Sequence, residues 1–110
     1  MKTIPFEEIT FPMFAQRVGA TFQVWWGETR LEDFKLVSAV PLAGPAGQPV
    51  PPQDESLKRY ALTFESGVQR ILGQASYRLA QEEMGAFELF VVPVGRGKEG
   101  IQYEAVINRL

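Results

Sequence analysis

With no histidine and no cysteine in the chain, carboxylates are left as its acid–base groups at useful pKa. Histidine is the usual proton shuttle near neutral pH, and thiolates supply nucleophiles and metal ligands. Their absence removes disulfides, Cys- or His-ligated metal sites and histidine-based triads. Glu82 and Glu83 are adjacent, as are Glu7 and Glu8. Adjacent residues of an extended chain point to opposite faces, so neither pair can flank a scissile bond as glycosidase carboxylates do. Both pairs read as solvated charge. Glu88 interrupts an apolar run and shares a face with Phe90 and Val92. Buried, it would have a raised pKa; the stronger expectation is pairing with an arginine across the sheet.

A serine nucleophile without histidine would need a lysine, and Ser56 lies two residues from Lys58. That spacing has no specificity. Asp54-Glu55-Ser56 lacks the Asp-rich alternation of a calcium loop. The run Gly95-Arg96-Gly97-Lys98-Glu99-Gly100 precedes a strand, not a helix, so it reads as a hairpin turn, not a phosphate cradle. The expectation is no catalytic residue, no metal site and no cofactor.

Trp25 and Trp26 are the most informative pair. Period-two alternation sets Phe22, Val24 and Trp26 on one face and Thr21, Gln23 and Trp25 on the other. A tryptophan on the polar face is either covered by an N-terminal helix or used at an interface, where Trp is enriched. Trp25 is therefore a candidate contact residue.

The elements that must position these residues follow from period and punctuation. Thr10 as N-cap, Pro12 in a first turn and Gly19 as stop predict a short helix over 11–17. Strands are expected at 21–26, 31–41, 58–65, 76–81, 86–94 and 101–108. The second blurs its alternation (Phe34, Leu36, then Val40) at Val37 and Ala39, which implies a bulge or cover on both faces. The fifth is nearly continuous in apolar residues, the mark of a strand buried on both sides. Val68, Ile71 and Leu72 suit one helical turn closed by Gly73. The core is expected from Phe22, Val24, Phe34, Leu36, Leu62, Phe64, Tyr77, Leu79, Phe87, Leu89, Phe90, Val92, Tyr103 and Ile107.

Residues 42–57 form a Pro/Gly-rich loop, and Pro49, Pro51 and Pro52 in it are further candidate contact residues. Neither flank is long enough to fold alone, so 1–110 reads as a single domain. The fold class is all-β: a small six-stranded antiparallel barrel or sandwich with one short N-terminal helix.

Three segments carry a family resemblance: Phe14 to Val24, Gln74 to Leu79 continued by Gly85 to Gly95, and Tyr103 to Asn108. They resemble an uncharacterised family of small bacterial all-β domains of unknown function. The resemblance implies a fold without assigned chemistry and an association with phage-tail-like and tail-collar gene clusters. It also implies that a histidine is common where this chain has Gln81, so histidine chemistry is not required at that turn.

The charges are 11 basic and 13 acidic, net −2, a poor match for nucleic acid. No run approaches the ~18 apolar residues of a membrane span, and the N-terminus lacks a secretory apolar stretch, so cytoplasmic residence is the default expectation. The expected function is a non-enzymatic structural or assembly domain that associates with protein, as a homo-oligomer or within a larger assembly such as a phage-like particle. The alternative is a small-molecule-binding β-barrel.

Overall fold

The computed structural model describes residues 2–42 and 53–109. Pro49, Pro51 and Pro52, and with them most of the 42–57 loop, lie outside the described residues. The chain begins with a single 3-10 turn, Phe6–Glu8, and a short helix α1, Phe11–Ala15. Six strands follow: β1 Thr21–Trp26, β2 Thr29–Pro41, β3 Arg59–Ser66, β4 Ala75–Gln81, β5 Gly85–Arg96 and β6 Ile101–Asn108. All pair antiparallel in the order β1-β2-β3-β6-β5-β4, and β4 returns to β1, so the sheet closes on itself as a barrel.

The period-two pattern places side chains as expected along most of the sheet. Phe22 and Val24 of β1, Leu62 and Phe64 of β3, and Tyr103 and Ile107 of β6 all point inward and are buried. Their rings form a connected chain through the barrel: Phe11 to Tyr60 at 5.2 Å, Tyr60 to Phe14 at 6.1 Å and Phe14 to Phe22 at 6.3 Å. It continues from Phe22 to Phe64 at 5.5 Å, Phe64 to Phe34 at 5.6 Å and Phe34 to Tyr103 at 4.6 Å. These centroid spacings are those of rings in van der Waals contact. Helix α1 supplies Phe11 and Phe14 to this chain and plugs one mouth of the barrel. Such a short helix has almost no stability of its own; the two buried rings hold it.

Three expectations are corrected. First, β5 is not buried on both faces. Phe87, Leu89 and Val91 point inward, whereas Glu88 and Phe90 point outward, Phe90 being 51% exposed, and Val92 is only half-buried. A barrel wall has one inside, and on its outer face Phe90 and Val94 stay exposed. Second, the pairing of β2 with β3 slips between Leu36 and Ser38, the bulge that the blurred alternation suggested. Beyond the slip Ala39 packs on the core and Val40 turns out, against the expected inward Val40. Third, residues 67–74 contain no helical turn. Val68 and Ile71 are exposed, and the segment's backbone groups are met by strand side chains instead. Leu72 N–H donates to the Tyr103 hydroxyl at 2.8 Å, and the Tyr77 hydroxyl donates to Gly73 O at 2.6 Å. The segment caps the barrel at the mouth opposite α1.

The β4–β5 turn is built around Gln81, which is buried and whose Oε1 accepts from the N–H groups of Glu83 and Met84 at 2.9 and 2.8 Å. Gly85 follows with φ of 99°. A Cβ there would lie 2.5 Å from Lys2 O, because the N-terminal segment passes directly over this turn.

Candidate interaction surface

Trp25 lies opposite Arg78 of β4, and Arg78 lies opposite Glu88 of β5, so the three form one row across the outside of the sheet. The row explains what Trp25 does with its polar-face position. Its ring carries the Arg78 guanidinium at 5.4 Å, and its Nε1 donates to Gln23 Oε1 at 3.2 Å. Helix α1 does not cover it; the helix packs against β2 and into the mouth. The expected arginine partner of Glu88 is in register but is engaged by the indole. Among the described residues the ion pairs are Arg17–Glu83 and Arg30–Asp33.

Trp26 keeps to the inward row of β1 but is not buried by it. The β1–β2 register shifts between Val24 and Trp25, and the chain then turns at Gly27 with φ of 59°. The extra residue of the irregularity, Leu31, belongs to β2, so Trp26 stays on the Phe22–Val24 side but sits at the rim of the barrel, 58% exposed with its ring against the inward Tyr77 at 5.6 Å. Alternation alone could not reveal this; the two-residue hairpin one step later is the available signal that the strand was ending.

Three shallow hollows lie along this side. One of about 440 Å³ is lined by Trp25, Trp26, Gly27, Ser76, Arg78 and Glu88. A second of about 270 Å³ lies between Trp25 and the N-terminal Thr3. A third of about 280 Å³ lies where β5 and β6 separate, with Glu88, Phe90, Val106 and Phe6 around it. Val106 is 57% exposed. Aromatic and aliphatic side chains are thus presented next to one arginine and one glutamate, a composition suited to protein contact.

The groups considered for chemistry are dispersed. Glu82 and Glu83 are exposed in the β4–β5 turn, and Glu7 and Glu8 are exposed in the 3-10 turn. Ser56 Oγ donates to Asp54 Oδ1 at 2.6 Å, and Ser66 Oγ is tied to Val68. The two Ser56 bonds also hold the Asp54 carboxyl below its ordinary range. In the Gly95–Gly100 hairpin, Gly97 N–H donates to Gly100 O at 2.7 Å and Glu99 N–H to Glu65 Oε1 at 2.8 Å. Those amides are taken up by the turn and by β3.

A carboxylate that the strand reading passed over is Glu32. It precedes Phe34 and Leu36 in the inward row of β2 and faces the capped mouth of the barrel. Extending that row by one step would have found it. Among the described residues, Oε1 and Oε2 are shielded from solvent and accept no hydrogen bond. Burial pushes its pKa up; the Ser66 hydroxyl and the Arg70 charge offset part of this, and Asp33 adds to it. Burial also raises the Tyr77 and Tyr103 hydroxyls, with the Glu32 charge acting in the same direction.

Fold and surface together define a small all-β domain: a closed six-stranded sheet with a filled centre and an aromatic outer side. The chain belongs to the family described as Domain of unknown function (DUF6916), whose family model matches residues 9–107. No curated protein and no solved structure matches it. Among the described residues no helix is long and apolar enough to cross a membrane.

Proposed function

We propose that this domain is non-enzymatic and works by associating with protein through the outer side of β1, β4 and β5. The observation that carries the reading is the exposure of Trp26 at the barrel rim and of Phe90 on the outer face of a sheet whose centre is already filled by rings. Large exposed aromatics beside an arginine are the residues that anchor contacts, since they bury much area with few rotors. Trp25, braced by Arg78, is part of the same anchor. The ring-filled centre favours association over the small-molecule-binding barrel, because a ligand would have to displace the chain from Phe11 to Tyr103. The resemblance to small bacterial domains of phage-tail-like clusters supports a place in a homo-oligomer or a larger assembly of that kind.

Sedimentation velocity over a wide concentration range tests the reading. Wild type is expected to associate with rising concentration, and Trp26→Ala to shift that association to at least about tenfold higher concentration. Trp25→Ala is expected to act in the same direction. A strict monomer in all three, with stoichiometric uptake of a small molecule into the barrel, would overturn it.

A further inference from the structure

We propose that the recess bounded by Trp25, Arg78, Gln23 and Thr3 binds a carboxylate, the acid of an Asp or Glu side chain on the protein partner. This names the chemistry that the outer side of the sheet reads, and it rests on the association reading above. Cross-strand pairing builds the recess. Gln23 lies opposite Ala80, Ala80 opposite Ala86, and Ala86 is bridged to Thr3 of the N-terminal segment. Trp25 and Arg78 form the adjoining row. Two alanines, each 5% exposed, thus make a floor between taller walls, and a hollow of about 270 Å³ stands over them. The wall at Thr3 is fixed, since Ala86 N–H donates to Lys2 O and Ile4 N–H donates to Ala86 O, both at 2.8 Å. The space admits one acidic side chain.

The lining offers donors. An indole N–H can only donate, so the Gln23 amide must turn Oε1 toward Trp25 Nε1, which it meets at 3.2 Å, and its Nε2 is left over. The Arg78 guanidinium is held over the Trp25 ring, 5.4 Å from its centroid. Stacking fixes the guanidinium and leaves its edge of N–H groups for another acceptor. Among the described residues, the Arg78 guanidinium, Gln23 Nε2 and the Thr3 hydroxyl bond to no acceptor, and Arg78 joins no ion pair.

Charge selects the ligand. Arg78 is the charged residue of the lining. Around the rim, Lys2 precedes Thr3, Glu88 lies opposite Arg78, and Asp33, opposite Gln23, is bonded to Arg30 at 2.8 Å. Arg78 and Lys2 against the single unengaged acid Glu88 favour an anion. One planar fork with neutral amide and hydroxyl donors beside it matches one carboxylate. A phosphate group carries more charge and more acceptor oxygens than these donors serve.

The test uses the full chain at constant ionic strength. N-acetylglutamate amide is the probe, and N-acetylglutamine amide, of the same shape without the charge, is the control. The readout is the Trp25 indole N–H resonance, assigned with Trp25→Phe. The glutamate probe is expected to shift it saturably in the millimolar range, and the control to leave it in place. Arg78→Gln is expected to weaken binding about tenfold or more, and Glu88→Gln to tighten it about two- to fivefold. Ala80→Leu keeps Arg78 but fills the floor, and is expected to abolish the shift. Should Arg78→Gln fail to fold by thermal melting, Ala80→Leu and Glu88→Gln carry the test. Equal shifts with both compounds, no saturation up to about 0.1 M, binding unchanged in a folded Arg78→Gln or Ala80→Leu, or tighter binding of inorganic phosphate would each overturn the proposal.

Sedimentation velocity separates a partner's acid from a free small-molecule acid. The glutamate probe is expected to reverse association, and Arg78→Gln to shift it to about tenfold higher concentration. Association indifferent to both, with the probe bound, would assign the recess to a free acid and overturn the proposal. Loss of association in Trp26→Ala with probe binding intact supports both readings. Trp26-dependent association without probe binding removes only the recess. Probe binding in a chain that never associates overturns the association reading and leaves the recess a carboxylate site.

Discussion

Strand β6 has two neighbours and treats them differently. Toward β3 it is paired without interruption from Gln102 to Asn108, with Glu65 opposite Gln102 and Arg59 opposite Asn108. Toward β5 the pairing covers only its first half, slips between Pro93 and Gly95, and stops at Val92 opposite Glu104. Both flanks are made of apolar strands, so hydrophobicity does not distinguish them. The difference arises at the β5 start, where the chain's own N-terminus occupies the edge at Ala86. One flank is a wall, and the other is a wall with a gap held partly closed by a strap.

The sharpest way to test this contrast is to remove a side chain behind each flank. Phe64→Ala, behind the paired flank, empties a site in contact with Phe22 and Phe34 and is expected to cost about 2–5 kcal/mol in denaturant unfolding. Phe90→Ala, on the open flank, is expected to stay within about 0.5 kcal/mol of wild type. Similar losses at both positions would erase the distinction.

The strap is probed by Gly85→Ala. The added methyl meets Lys2 O, and φ of 99° is strained for alanine. A loss of about 1–3 kcal/mol is expected, with faster amide exchange at Ile4 while Leu62 and Phe64 stay protected. Exchange that rises equally at all three would show that the strap is part of the barrel's cooperative unit.

The smallest effect concerns the mouth capped by residues 67–74. Because burial raises the Glu32 pKa, the folded state holds its proton to higher pH than the unfolded chain does. Stability from this group is therefore lost as pH rises from the ordinary carboxylate range through the folded pKa. Glu32→Gln is expected to be more stable than wild type at neutral pH and equal to it in acid below both pKa values, by thermal melting at each pH. A variant no more stable at neutral pH would mean that Ser66 and Arg70 compensate the charge fully.

Much of the wall was legible in the residue order. Alternation located all six strands within two residues at each end, and twelve of the fourteen expected core side chains are buried. The two that are not, Phe90 and Val92, belong to the strand whose apolar run suggested cover on both faces. A continuous apolar run does not reveal whether a second layer exists; here the outer face of β5 remains open, and its apolar residues become candidate contacts instead. The helical turn expected from Val68, Ile71 and Leu72 failed for a related reason. Its backbone partners, the Tyr77 and Tyr103 hydroxyls, come from distant strands.

The residue order by itself determined the all-β class, the inward row of each regular strand and the lack of histidine or thiol chemistry. Side-chain alternation is a local property of extended chain, and residue types need no fold to be counted. Tertiary structure alone decided which apolar residues stay outside, how far β6 pairs with β5, and that Glu32 faces a closed mouth. Each depends on what another segment does at that place: a rim where Trp26 meets only Tyr77, a strap that takes the edge at Ala86, a loop that caps Glu32. Such meetings are between residues far apart in the chain, and no local period encodes them.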